Sequence, residues 1–504
     1  MCIHSYARKP LSYLLIALTG APTLSAATIE VPAEHLTIQA AIDAAAAGDT
    51  IMVAAGTYRE SLSWTGKDLV IQGAGAATTI IDPRGPNGER GGACVETSGL
   101  TPAAVFEGFT LRGGIDTEVM DPNNNPIVNG DGGGMVNVDS SPTVVGCVFT
   151  ENQRHGFWWY NTRGVGGGMC NLRSNPTVID CVFHQNSANE AGGMGNTESN
   201  PTVIGCTFDN NSDPSVTNFN CTAPGVTFAD CELRDGLRGM VNRNSNLRLT
   251  NSVFTNFNGW FNQAIRIEGG GTVTLDGCLI ADNTSTVFDP SRLADASGIG
   301  IRNGSATLVM TNCTVVGNRG GQSGTGVLSG GPTTITNCIF WDNEAYSNYV
   351  SPLEQNIAMW ATTPIINHSN IEHGDSLAGV GNMSQDPMFV SEATGDYRLL
   401  PGSPSVDSGD SAAVPATLVT DLGGNARTLG AAVDIGAFEF VPCVGDVNDD
   451  GQRNLTDLSL LLAAFGSVNG DAAFDATADL NGDNAVNLTD LSQLLAVFGE
   501  PCPA

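Results

Sequence analysis

Lysine is almost missing from this chain: among 504 residues only Lys9 and Lys67 are lysines, charged residues are 14% of the total, and the formal net charge is -31. A surface so short of cations excludes nucleic acid and anionic membranes as partners, because neither polyanion gains by meeting it. With so little charge of either sign, Asn, Thr, Ser and Gly must cover much of the exterior. No apolar run beyond the N-terminus approaches the roughly 20 residues of a spanning helix, so no membrane insertion of the mature chain is expected. Gly-x-Ser-x-Gly and His-Glu-x-x-His are absent, and so is Cys-x-x-Cys, which argues against zinc. At the N-terminus, Arg8 and Lys9 precede the apolar stretch Leu11 to Leu18, and Ser25-Ala26-Ala27 offers small residues for cleavage. Residues 1–27 therefore read as a signal peptide, and the expected location is secreted, extracellular or at the cell surface.

What the chain has in abundance is repetition. Pro142-Thr-Val-Val-Gly-Cys147-Val-Phe149-Thr-Glu-Asn152 returns as Pro176-Thr-Val-Ile-Asp-Cys181-Val-Phe183-His-Gln-Asn186 and as Pro201-Thr-Val-Ile-Gly-Cys206-Thr-Phe208-Asp-Asn-Asn211. Looser copies centre on Cys231, Ser252, Cys278, Cys313 and Cys338. The residue before each of these positions is Gly, Asp or Asn, and an apolar residue stands three before it. Apolar alternation broken by turn residues marks short strands and tight bends, and the fixed period marks stacked units. The solution is an all-β fold over residues 28–440, a right-handed parallel β-helix (solenoid) with each copy forming one coil ~4.8 Å above the last. Stacked cysteines keep their Cβ atoms near 4.8 Å apart rather than the ~3.8 Å of a disulfide, so the column reads as buried free thiols.

Two acidic loops of common design lie at the C-terminus. The first places Asp446, Asn448, Asp450, Gln452, Asn454 and Asp457 at positions 1, 3, 5, 7, 9 and 12; the second places Asp479, Asn481, Asp483, Ala485, Asn487 and Asp490 there. Side-chain oxygens at five of these positions and a carbonyl at the seventh can wrap Ca²⁺, giving two expected sites. Position 6 needs a sharp turn, supplied by Gly451 and by Asn484. An apolar helical stretch follows each loop and stops at Gly466 or Gly499. Cys443 and Cys502 bracket the module and are expected to pair in an oxidising compartment.

Residues 443–504 resemble a type I dockerin, a small EF-hand-like α-helical module, and the resemblance implies a cohesin-like receptor or other surface protein as partner. Arg453 departs from it, because position 8 of the loop is ordinarily apolar, as Val486 is. The segment Thr37-Ile-Gln-Ala-Ala-Ile-Asp43 with Gly56-Thr-Tyr-Arg-Glu60 resembles the first turn of pectin-lyase-like β-helix proteins. Asp386-Pro-Met-Phe389, Asp421-Leu-Gly-Gly-Asn425 and Asp434-Ile-Gly-Ala-Phe-Glu439 are similar to the closing segment of large secreted β-helix proteins.

Three insertions, near 115–131, 153–165 and 284–297, fall at one bend and would wall a groove. In the second, Trp158, Trp159, Tyr160 and Arg163 suit stacking against sugar rings. The third residue after each column cysteine should face outward, giving His184, Asp209 and Arg234 on successive coils as candidates for acid/base work. The fold alone settles no activity. The reading is a β-helix that engages extracellular polysaccharide and is attached through the calcium-dependent module. A polysaccharide lyase or glycoside hydrolase in a degradative assembly, or a non-enzymatic structural surface protein, are the alternatives.

Overall fold

The computed structural model describes residues 26–85, 91–116, 131–154, 165–212, 214–259, 263–285, 301–320, 325–346, 351–359, 362–448 and 451–500. Their repeating part builds three parallel sheets of 13, 12 and 11 strands. One coil illustrates the path: Met169–Leu172 lies in the 11-stranded sheet, Thr177–Ile179 in the 13-stranded sheet and Val182–His184 in the 12-stranded sheet. Like residues stack without slippage, Val144 on Val178 on Val203 and Phe149 on Phe183 on Phe208. The phenylalanine rings lie 4.5 Å apart and within 4° of parallel.

The bend before each cysteine explains its Gly, Asp or Asn. Gly146, Asp180, Gly205 and Asp230 have φ between 49° and 64°, the left-handed region that these residue types enter at least cost. The cysteine that follows turns inward. Cys181 Sγ accepts the Cys147 backbone N–H at 3.4 Å while its thiol donates to the Ile179 carbonyl at 3.2 Å, and Cys206 repeats the pattern one coil on. Ser252 and Ser369 take the same acceptor role toward Cys231 and Cys338, which is why serine can stand in this column. Ten cysteines of the solenoid are free and buried. Burial pushes thiols such as Cys94 and Cys278 well above their ordinary range.

Two internal amide ladders run through the middle coils. Asn152 donates through Nδ2 to Asn186 Oδ1, and Asn186 to Asn211, both at 3.0 Å. The second ladder runs Asn137 to Asn171, Asn196, Asn218 and Asn242 at 2.8 to 3.1 Å. Since a buried polar group without a partner costs about 1–3 kcal/mol, the ladder must be complete to be tolerated.

At the N-terminal end the helix Ile38–Ala44 is capped by Thr37, whose side chain accepts from Ala40 N–H, and it buries Ile38, Ala41 and Ile42 over the open core. At the other end the chain turns back. Phe389, Tyr397, Leu399, Ile435 and Phe438 form a second apolar cluster with Val253, Leu279, Val316 and Ile339. The latter four lie on successive strands of the 12-stranded sheet, so the closing segment covers the outer face of four coils. Polar seams hold its edge: Asp410 N–H donates to Asn337 Oδ1 at 2.8 Å and Asn312 Nδ2 to the Asp434 carbonyl at 2.9 Å.

The C-terminal module has its own core of Val447, Leu461, Ala464, Ala478, Val486 and Leu494. Its helices, Leu455–Ala464 and Leu488–Val497, are capped by Asn454 and Asn487 with Asp457 and Asp490 completing the capping boxes. Among the described residues no helix is long and apolar enough to cross a membrane.

Candidate functional site

The outward column of the 12-stranded sheet runs Arg112, Thr150, His184, Asp209, Arg234 and Thr255 in register. Beyond Thr255 the closing segment covers it, and Ala281 and Val316 in the same column are buried. The three candidates from sequence are therefore neighbours at the edge of the free face. His184 Nδ1 lies 3.0 Å from Asp209 Oδ2. With the Nδ1 proton on that bond, Nε2 is left as the acceptor, the arrangement a general base needs. Arg234 sits 3.8 Å from Asp209, 3.2 Å from Glu232 and 3.1 Å from Asp235.

Beside this column opens a concavity of about 560 Å³, lined in part by Gln185, Asn210, Asp235, Leu237 and Asn256. Four of these stand four residues after a column cysteine (or Ser252), at a further left-handed bend. The sequence carries a signal for that position in two of the coils, where Gln185 and Asn210 directly precede the ladder residues Asn186 and Asn211.

The roots of the three insertions are paired strand on strand. Ile115–Asp116 pairs with Gln153–Arg154, Asp131–Gly132 with Val165–Gly166, and Asn258–Gly259 with Thr284–Ser285, so their roots are stacked as expected from one shared bend. Trp158, Trp159, Tyr160 and Arg163 lie outside the described residues.

At the head of the same outward column stands a charged cluster not anticipated from sequence. Asp82 is buried and meets Arg84 Nε at 2.8 Å and Arg112 Nη2 at 3.1 Å. Burial alone would push its carboxyl up, but the two guanidiniums outweigh it and hold the group at about 2.

In the C-terminal loops the sixth positions adopt the required left-handed turn, Gly451 at φ 80° and Asn484 at φ 67°. Asp457 Oδ1 accepts from Val447 N–H at 2.8 Å, and its Oδ2 from Asn454 N–H at 2.8 Å. Asp490 does the same for Asn481 and Asn487. The loops are exchanged across the module: Gly466 N–H donates to the Val486 carbonyl and Gly499 N–H to the Arg453 carbonyl, each at 2.8 Å. Arg453 fills its apolar position by burying its stem and donating Nε to the Val444 carbonyl at 2.8 Å. Among the described residues no three Asp, Glu, His or Cys side chains converge as a ready metal cluster. The hard oxygen donors gathered on two short loops nevertheless match calcium chemistry. Asp450 and Cys502 lie outside the described residues, while Cys443 is disulfide-bonded.

Residues 89–223 and 194–371 match the family model described as "Right handed beta helix region". The chain belongs to this family. Residues 444–496 match the "Dockerin type I domain", so the right-handed β-helix carries a C-terminal dockerin. No curated protein matches the chain. Among solved structures the β-helix is similar to the pectate lyase Pel9A, with 16% identity over 80% of this chain and 91% of that one, and a TM-score of 0.41. A PL6-family polysaccharide lyase from Pseudopedobacter saltans aligns at 11% identity over 82% of this chain and all of that one, with a TM-score of 0.37.

Proposed function

We propose that this right-handed β-helix protein is secreted, engages extracellular polysaccharide on the uncovered face of its 12-stranded sheet, and is attached through its dockerin. The observation that carries the reading is the union of the two parts: a polar concavity of about 560 Å³ on the solenoid and a duplicated loop–helix dockerin at its end. Dockerins bind cohesins, so a cohesin-type receptor is the expected partner. Exposed Leu455 and Leu488, equivalent in the two halves, offer apolar contact to it. Calcium in two loops, held by the donor residues from Asp446 to Asp457 and from Asp479 to Asp490, would fix those helices for docking. Trp158, Trp159, Tyr160 and Arg163 would add sugar stacking from the second insertion.

The contact between His184 and Asp209 favours a second reading, polysaccharide lyase or glycoside hydrolase. His184 would move the proton and Asp209 would orient the ring. One experiment separates the readings: the purified protein in calcium is given a polysaccharide panel, and new reducing ends, unsaturated uronate absorbance and bound polymer are scored together. Bound polymer without products supports the first reading. Products lost on His184→Ala support the second. Neither signal would leave a structural surface protein and overturn both.

A further inference from the structure

The left-handed bend one residue beyond the His184 column presents Gln185, Asn210, Asp235 and Asn256 on four successive coils, with φ between 50° and 58°. The next residues, Asn186 and Asn211, turn inward and spend their amides on the internal ladder and on the Phe149 and Phe183 carbonyls. Gln185 and Asn210 are exposed and Asn256 is half-buried. The bend thus offers an amide or carboxylate at each coil rise of ~4.8 Å, and an amide both donates and accepts, as a sugar hydroxyl does. A pyranose in an extended glycan advances by a similar step. Leu237, half exposed in the same concavity, supplies an apolar patch for the C–H face of a ring.

Charge selects among glycans. Arg234 is the cation next to Asp235 in this wall, and three carboxylates, Asp209, Glu232 and Asp235, already stand within 3.8 Å of it. A uronate reaching for Arg234 must displace them and approach a chain of net charge -31. We infer that this bend binds an uncharged glycan laid along the rod axis, one pyranose per coil across four coils. The inference rests on the glycan-engaging reading above and narrows it to neutral polymers.

The test is calorimetry of the full chain in calcium with cello-, xylo- and manno-oligosaccharides of two to eight units, set against oligogalacturonates. Affinity for at least one neutral series should climb with length to about four units and then level off. It should weaken about tenfold, roughly one lost hydrogen-bonding pair, in Asn210→Asp with Asn256→Asp, which keeps the left-handed bend. Leu237→Ser is a second variant that leaves the bend untouched and should also weaken binding. Removing two flanking carboxylates, by Glu232→Gln with Asp235→Asn, should raise oligogalacturonate affinity several-fold. Preferred binding of oligogalacturonates by the unaltered chain would overturn the inference while leaving glycan engagement standing. Neutral binding that neither Asn210→Asp with Asn256→Asp nor Leu237→Ser weakens would overturn the placement. No binding to either class would overturn the glycan-engaging reading itself.

Discussion

His184 and Asp209 are joined across one coil by a 3.0 Å contact between Nδ1 and Oδ2, and the pairing follows directly from the strand register that stacks one above the other. If products are released from any polysaccharide, His184→Ala should lower kcat by about 10²–10⁴-fold, the usual worth of a positioned base. Asp209→Asn should lower it less, since Nε2 keeps its chemistry but loses its orientation. Rates of reducing-end release for both variants check this; an unchanged rate in His184→Ala would remove the column from the chemistry.

The dockerin should depend on its metal. Binding to the folded form alone stabilises it by mass action, so chelation with EDTA should lower its melting temperature, and excess calcium should restore it. Asp490→Ala removes a buried carboxylate that also holds Asn481 and Asn487 N–H, and should weaken calcium binding and receptor capture together. Calorimetric calcium titration of the variant checks the first and retention on immobilised cohesin the second; undiminished calcium binding would show that the second loop is not a calcium site.

The cysteine column should behave as a hydrogen-bonding column rather than a redox one. Cys181→Ser keeps an acceptor for Cys147 N–H, as Ser252 does for Cys231, whereas Cys181→Ala orphans that donor at a cost of roughly 1–3 kcal/mol. Denaturant midpoints should therefore rank wild type and serine above alanine. The ten buried thiols should stay silent to a thiol reagent until the rod unfolds.

Acid should loosen the early coils. The Asp82 carboxyl is held at about 2 against an ordinary 3.8, so the folded form binds this proton less readily than the unfolded chain does. Its contribution, at most about 2 kcal/mol, is present above pH 4 and is lost as pH falls toward 2. Asp82→Asn should flatten that part of the stability profile measured by denaturant titration between pH 2 and pH 5.

The solenoid was legible because each coil obeys the same local rules. Gly, Asp or Asn before Cys147, Cys181 and Cys206 reports a left-handed bend whichever coil it occurs in, and Val three residues earlier reports the inward face. Cys221 shows where that legibility stops. It belongs to a different column, with Ser140, Ser174, Ser199 and Ser245, which the sequence repeat centred on the main cysteines does not reveal. Asn218 likewise joins the second ladder although a longer corner shifts it out of the common interval from Cys231. The concavity was not foreseen because it depends on which outward residues stay uncovered. That was decided by Phe389, Tyr397 and Phe438 folding back from more than a hundred residues away.

That returning segment also determines how the rod answers a pull. A receptor that gripped the dockerin would load the chain near Val441, and the load would pass first into the segment from Phe389 to Phe438, whose apolar residues lie against four coils at once. Tension along the axis would otherwise peel parallel coils apart one at a time, since their backbone bonds point the same way. Lying lengthwise over Val253, Leu279, Val316 and Ile339, the segment turns that peel into a shear that must break several contacts together. The tether is thus joined to the rod by a splint, and the exposed end coil is not the first thing to give.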